Sequence, residues 1–239
     1  MGTPVRFPTG VSTAAPQDVL AAFPLLDPFN TGTVSGLGVA SYATDFMTLL
    51  ASTTEFTVTG TSSTFALVAA GVGGTAILTP GGATTASSAY KTTQGFQFVS
   101  GQKAWFATRF KCSAVAGNVV FNVGLQAGSS TDDGLYLTKA AATTTVKLVS
   151  SVGNTDTDLI ASVGTAVANT YSTVGFYYDG TDLIVYYNGV KAGRVTAPTI
   201  GASATTLTNV ALGPVFQITP TSTDTMTIDY VLAAAEVSR

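Results

Sequence analysis

Between Tyr171 and Thr196 the chain reads YSTVGFYYDGTDLIVYYNGVKAGRVT, and this stretch leaves little choice of fold. Thr173 to Tyr178 and Asp182 to Tyr187 are rich in β-branched and aromatic residues, which suit a pleated, half-buried surface. Asp179-Gly180-Thr181 separates the two runs, and Asn188-Gly189 follows them. An Asn-Gly pair accepts the positive φ angles of a type I′ turn, so the second connection predicts a tight hairpin. The expected result is three short antiparallel strands joined by two turns.

Beyond Gly60 the same signals recur. Strands are expected over Phe65–Val72, Thr75–Thr79, Phe96–Val99, Lys103–Cys112, Asn118–Gln126, Gly134–Lys139 and Thr143–Val149, then over Thr208–Ile218 and Thr225–Glu236. This spacing, with no long helical period, predicts an all-β fold, an antiparallel β-sandwich. Val231–Val237 could pass for half a helix. Thr225 to Tyr230 alternates as a strand, however, and is expected to pair near Phe46. Gly71-Val72-Gly73-Gly74 and Pro80-Gly81-Gly82-Ala83 read as turns. Neither precedes a helix or a Lys-Ser/Thr pair, which argues against a phosphate-binding loop.

Residues 1–40 differ from the sandwich expected over 41–239. Pro4, Pro8, Pro16, Pro24 and Pro28 fall there, five of the nine prolines in the chain. At that density regular helix and central-strand pairing are blocked, so an extended arm is expected, with at most one short helix over Pro16–Phe23. Val5, Phe7, Val11, Leu20, Phe23, Leu25, Leu26 and Phe29 make this arm too apolar for a solvated tail.

Two resemblances follow from these residues. The aromatic strand, Asp-Gly, apolar strand and Tyr186-x-Asn188-Gly189 resemble the meander of concanavalin A-like and laminin G-like jelly rolls, with echoes at Trp105–Cys112 and Met226–Leu232. That similarity implies a jelly-roll sandwich and, by itself, no particular function. Arg6-Phe7-Pro8-Thr9-Gly10-Val11, Phe23-Pro24-Leu25-Leu26-Asp27-Pro28 and Tyr42-x-x-Asp45-Phe46 resemble the N-terminus of capsid cement, or decoration, proteins of tailed bacteriophages. Around the first strand those proteins carry more acidic and aromatic residues than the VASYATDFMTLL found here. The resemblance implies a non-enzymatic virion protein on the capsid surface, made in the host cytoplasm and bound to the major capsid protein. It also implies a homo-oligomer, specifically a trimer. The arm residues expected to contact other chains are Arg6, Phe7, Phe23, Leu25 and Phe29. The alternative is a carbohydrate-binding, lectin-like module of a phage fibre or cell-surface protein, which would line a concave sheet with exposed aromatics.

Composition narrows the chemistry. Charged residues are 10% of the chain, against roughly 25% in ordinary soluble domains, and the net charge is −3. Surface polarity must come from Thr, Ser, Asn and Gln, which suits a protein that meets other surfaces. Without a basic patch, nucleic-acid binding is not expected. No apolar run approaches the ~20 residues of a membrane span. The N-terminus lacks the basic-then-apolar pattern of a secretory signal, so the protein is expected either to be made and kept in a cytoplasm or to leave it by a route other than secretion, such as cell lysis.

The chain has no histidine, so Ser-His and Cys-His nucleophiles and His-based metal sites are excluded. Its single cysteine, Cys112, allows no internal disulfide and is expected in the core. Glycosidases of this fold need paired carboxylates, commonly Glu-x-Asp-x-Glu on one strand. Only Glu55 and Glu236 are present, on different elements, so no enzymatic activity and no cofactor are expected. Asp132-Asp133, Asp156-x-Asp158 and Asp179-x-x-Asp182 read as turn residues, with calcium binding as the other reading and Asp132-Asp133 as its best site. On the strand over 103–112, Phe106, Phe110 and Cys112 alternate to one face, and Trp105, Arg109 and Lys111 to the other. The second face is either a ligand- or partner-binding patch or a second packed layer.

Overall fold

The alternation of apolar and polar residues resolves into strands along nearly the whole described chain. The structure is a computed structural model that describes residues 39–49, 55–68, 74–129, 133–203 and 206–236. The strands are β1 (Val39–Thr44), β2 (Phe56–Thr59), β3 (Thr64–Leu67), β4 (Ala76–Thr79), β5 (Ser87–Lys91) and β6 (Ala104–Cys112). They continue with β7 (Val120–Gln126), β8 (Gly134–Lys139), β9 (Thr145–Ser151), β10 (Asp156–Thr165), β11 (Ser172–Tyr178) and β12 (Leu183–Tyr187). Last come β13 (Val190–Val195), β14 (Ile200–Gly201), β15 (Leu207–Thr208), β16 (Gly213–Thr219) and β17 (Met226–Glu236).

An eight-stranded sheet runs β13-β12-β11-β6-β17-β4-β3, with β1 also paired to β17. A seven-stranded sheet runs β10-β9-β8-β7-β16-β5-β2. All pairs within these two sheets are antiparallel. The inward faces of the two sheets form one core. Phe106 of β6 lies opposite Phe176 of β11, and their rings stack at 5.2 Å. Phe110 meets Phe121 of the facing sheet edge-on at 5.1 Å, tying the layers together. At the other end Phe46, Phe56, Phe65 and Phe216 form a second aromatic knot.

The meander is as expected. Asp179 Oδ1 accepts the backbone N–H groups of Thr181 and Asp182 at 2.8 and 2.7 Å, closing the first turn with its own side chain. Asn188 and Gly189 both have positive φ, 50° and 75°, as a type I′ turn requires. Asp182 is 4% exposed and accepts hydrogen bonds from the Arg194 guanidinium and the Ala197 N–H. The Arg194 bond, then the Ala197 N–H, hold this carboxyl below the ordinary carboxylate range. A depressed native value means that the unfolded chain binds the proton first, so the contribution is present above about pH 4 and lost on further acidification. Asp182→Asn should therefore flatten the acid limb of stability below about pH 4, read by thermal melts against pH. An unchanged acid limb would contradict this.

Several expectations need correction. Asp156 and Asp158 are not turn residues but lie on β10, an edge strand whose outward residues are exposed. There Asp156 accepts from the Tyr136 hydroxyl at 3.0 Å, and Asp158 pairs with Lys147 at 2.7 Å. Phe96–Val99 forms no strand, only a bridge from Phe96 to Leu212, with Phe96 and Phe98 buried as core plugs. Thr208–Ile218 is not continuous. It divides between β15, paired parallel to β14, and β16. Of Phe65–Val72 only the first residues belong to β3, and 69–73 lie outside the described residues. β1 matches the first strand expected at VASYAT, whereas β2, β5 and β14 fall where no strand was expected. β17 is a strand to Glu236, and Thr44 of β1 pairs with Val231, two residues from Phe46. Of the arm expected over 1–40, residues 39 and 40 belong to β1, while 1–38, the helix expected at Pro16–Phe23 and Asp132 fall outside the described residues.

Two buried polar groups serve the core. Cys112 is buried, and desolvation pushes its thiol up to about 12, so it is inert at neutral pH. Lys139 is fully buried, and its ammonium donates to the Val119 and Gly117 carbonyls. Burial pushes its pKa down.

Candidate functional site

The outward face of the eight-stranded sheet carries the residues that alternation singled out. Ala104, Phe106, Phe110 and Cys112 of β6 point into the core. Trp105 points outward and belongs to a separate apolar cluster with Ala234, Tyr177 and Leu232. Its register partners, Tyr177 on β11 and Ala234 on β17, explain that neighbourhood. Tyr177 lies nearly parallel to the indole at 5.3 Å, and Ala234 leaves room for the ring on its other flank. Trp105 is consequently 5% exposed, and its indole N–H has no acceptor. Beside it Ala107 and Tyr186 form a second outward cluster with Ile184 and, again, Leu232.

Arg109 and Lys111 share that face but not that cluster. Arg109 pairs with Asp229. Its guanidinium lies 4.3 Å from the centre of the Tyr171 ring, and the Lys111 ammonium lies 4.8 Å from it. Burial, then the Asp229 carboxylate, raises the Tyr171 phenol, with Arg109 opposing. Trp105 and Arg109 are four residues apart on one strand, about 13 Å. The patch expected from sequence therefore divides into an apolar half and a cationic half, both occupied by local partners. Arg6, Phe7, Phe23, Leu25 and Phe29 lie outside the described residues.

Sequence reasoning missed two concavities. An open, mostly apolar cleft of about 550 Å³ lies on the same outward face, between β1 and β17, lined by Ala43, Thr44, Asp45, Tyr230 and Leu232. Leu232 makes it continuous with the Trp105 cluster. Met47, 63% exposed, follows two residues beyond Asp45. A groove of about 300 Å³ with a mixed polar and apolar lining lies on the seven-stranded sheet, bordered by Thr59, Ser88, Phe121, Asn122, Gln217 and Thr219 among others. Much of its hydrogen-bonding capacity is used internally. Thr59 bonds Ser88 at 2.6 Å, Asn122 Nδ2 donates to Gln217 Oε1 at 2.9 Å, and Gln217 Nε2 donates to the Ser129 carbonyl at 2.9 Å. Strand alternation could have put Asn122 and Gln217 on one face, but their pairing across β7 and β16 needs the register.

The carboxylates do not converge. Glu55 accepts the Tyr42 hydroxyl at 2.6 Å, and burial followed by this bond raises the Tyr42 phenol far above its ordinary value. Glu236 accepts the Lys103 N–H at 2.8 Å. Asp133 accepts the Thr208 hydroxyl at 2.7 Å and the Gly153 N–H at 3.3 Å, stapling loops together. Among the described residues no three acidic or thiol groups cluster as a metal site would need. Every described Phe and the only Trp are buried, and no described Tyr is more than half-exposed in character.

No family model and no curated protein matches the chain. Solved structures do. A protein of unknown function from Shewanella oneidensis MR-1 matches with a TM-score of 0.60 at 14% identity, over 84% of this chain and 89% of that one. The β-glucanase of Bacillus licheniformis matches with a TM-score of 0.57 at 11% identity, over 84% and 99%. A carbohydrate esterase from the Shiga toxin-encoding bacteriophage phi24B matches with a TM-score of 0.53 at 17% identity, over 84% and 100%. At such identities the likeness shows the fold alone. The chain is an all-β, antiparallel sandwich with the concanavalin A-like jelly-roll architecture.

Proposed function

We propose that the chain is a non-enzymatic structural protein of a bacteriophage virion, a decoration protein that sits on the capsid and stabilises it by bridging major capsid protein subunits. The observation that carries this reading is the outward face of the eight-stranded sheet. It presents Leu232, Tyr177, Ile184 and an open apolar cleft on a chain with only 10% charged residues. Partly exposed apolar side chains gathered around an open cleft suit a surface that meets another surface. The arm motifs of residues 6–11 and 23–28 support the capsid as that partner, with Arg6, Phe7, Phe23, Leu25 and Phe29 as anchors. Assembly with further copies of itself, as a trimer, belongs to the same reading. In purified particles of the encoding phage the chain should be present in many copies per head by quantitative mass spectrometry. Its absence from particles, with abundance only in the infected cell, would refute the assignment.

Catalysis is not part of this function. Glu55 and Glu236 are each committed to a hydrogen bond on a different element. Incubation with β-glucans should release no reducing sugar above a blank. Turnover that vanishes in Glu55→Gln or Glu236→Gln would overturn this.

A second reading, a carbohydrate-binding module, is favoured by the amide- and hydroxyl-lined groove on the seven-stranded sheet. Its weakness is that Asn122 and Gln217 already satisfy each other. Saturable glycan binding lost in Asn122→Ala would make it the better reading.

A further inference from the structure

We propose that Asn188-Gly189 is a self-modification site held shut by the folded hairpin: the Asn188 amide is lost through a succinimide only when edge strand β13 comes away from β12. The inference concerns the free protein and does not rest on the virion reading. Asn188-Gly189 is the only Asn-Gly pair in the chain. Both residues are exposed, and a Cβ built on Gly189 would meet nothing within 4 Å, so the backbone nitrogen of Gly189 is unshielded. The reaction needs no reagent but water. The Gly189 nitrogen attacks Cγ of Asn188, and the new N–Cγ bond forms as the Cγ–Nδ2 bond breaks. Ammonia leaves, carrying the proton from the Gly189 nitrogen. Water then opens the ring at one carbonyl or the other and leaves aspartate or isoaspartate at position 188.

The fold opposes ring closure in two ways. A planar five-membered ring needs the Gly189 nitrogen eclipsed with Cβ of Asn188 about the Cα–C bond. With φ angles of 50° and 75° the pair sits in a type I′ turn, whose ψ at the first position carries that nitrogen to nearly the opposite side. The side chain is also latched. Asn188 Oδ1 accepts the Thr173 N–H at 2.9 Å, and the Asn188 N–H donates to the Thr173 carbonyl at 2.7 Å. The amide therefore acts as an extra rung against β11. Closure has to break the side-chain bond and unwind the turn.

This lock is only as firm as β13. That strand ends the eight-stranded sheet, its ladder to β12 shifts register between Val185 and Tyr186, and Val190 beside the turn is 68% exposed. Elements held by so few contacts open locally at a lower free energy than the core. The two products then differ. Aspartate keeps an oxygen for the Thr173 N–H, and the turn can close again. Isoaspartate inserts its Cβ into the main chain, which a two-residue turn cannot hold. Loss of β13 takes away Lys191 and Arg194, the cations on that edge, and uncovers the Leu-Ile-Val-Tyr-Tyr run of β12. The modification thus records, irreversibly, each chain whose edge has opened.

Full-length protein is held at mildly alkaline pH, either folded or in denaturing urea, then digested, and the peptide spanning residues 188 and 189 is followed by mass and by its isoaspartate content. Conversion should run several-fold faster in urea. In the folded chain it should rise with urea below the main transition, in step with hydrogen exchange of the β13 amides. Equal rates in folded and unfolded chains would show that the turn is no lock, and no conversion in urea would show that the pair is not primed; either result overturns the proposal. Asn188→Asp should fold with the wild-type melting temperature, because its carboxylate still accepts the Thr173 N–H. A large fall in that variant would overturn the division between the two products.

Discussion

Replacing Phe176 with alanine is expected to destabilise the sandwich by about 3–5 kcal/mol. Phe176 is fully buried on β11, between β12 and β6 in the eight-stranded sheet. Its ring stacks on Phe106 at 5.2 Å and faces Phe98 at 6.2 Å, so it is held from its own sheet and from the loop that plugs the core. Truncation removes the transfer free energy of the ring and leaves a cavity among stiff neighbours that cannot collapse into it. Total stabilities of single domains lie at about 5–15 kcal/mol, so this one change takes a large share. At about 2–4 °C per kcal/mol for a chain of this size, the melting temperature should fall by roughly 6–20 °C. Tyr177→Ala, one residue along but on the outward face, should cost less because Tyr177 is only half-buried. Equal losses at the two positions, in urea or by calorimetry, would contradict the division between core and outward face.

Deleting residues 1–30 should have the other large effect, on attachment to a capsid rather than on folding. Among the described residues the sandwich core begins in β1, where Ala40 and Tyr42 pack against it. Its loss of stability on truncation should therefore be small. The 28 residues that precede Phe29 can extend on the order of 90 Å, enough to cross from one subunit to the next. Fixed proline φ angles reduce the entropy lost on docking. Burial of Phe7 and Phe23 in apolar pockets, at about 1.5–3 kcal/mol each, amounts to a hundredfold or more in affinity.

What could be read from the chain followed the range of the forces involved. The meander was legible because Asp179-Gly180 and Asn188-Gly189 set their turns by local backbone chemistry alone. β17 was legible because Met226 to Tyr230 alternate strictly. β10 was not, since an edge strand exposed along its outward residues shows the composition of a loop, and its two aspartates imitate a turn. Phe96 and Phe98 erred the other way: they alternate as a strand does, yet they are loop residues buried by the sheets around them. The outward direction of Trp105 could be deduced from β6 alone. Its burial could not, because Tyr177 and Ala234 arrive from strands far along the chain. The apolar cleft was equally invisible, since Ala43 and Leu232 meet only through the pairing of β1 with β17.

The central claim is that this chain binds capsids through its N-terminal arm, and co-sedimentation with undecorated, expanded heads of the encoding phage tests it most directly. Full-length protein should pellet with the heads to a saturating, fixed number of copies and raise the temperature at which they burst. The form lacking residues 1–30, folded by circular dichroism, should stay in the supernatant and leave that temperature unchanged. Equal binding and equal heat resistance with both forms would show that the arm is not the clamp. Failure of the full-length protein to bind at all would contradict the account at its root.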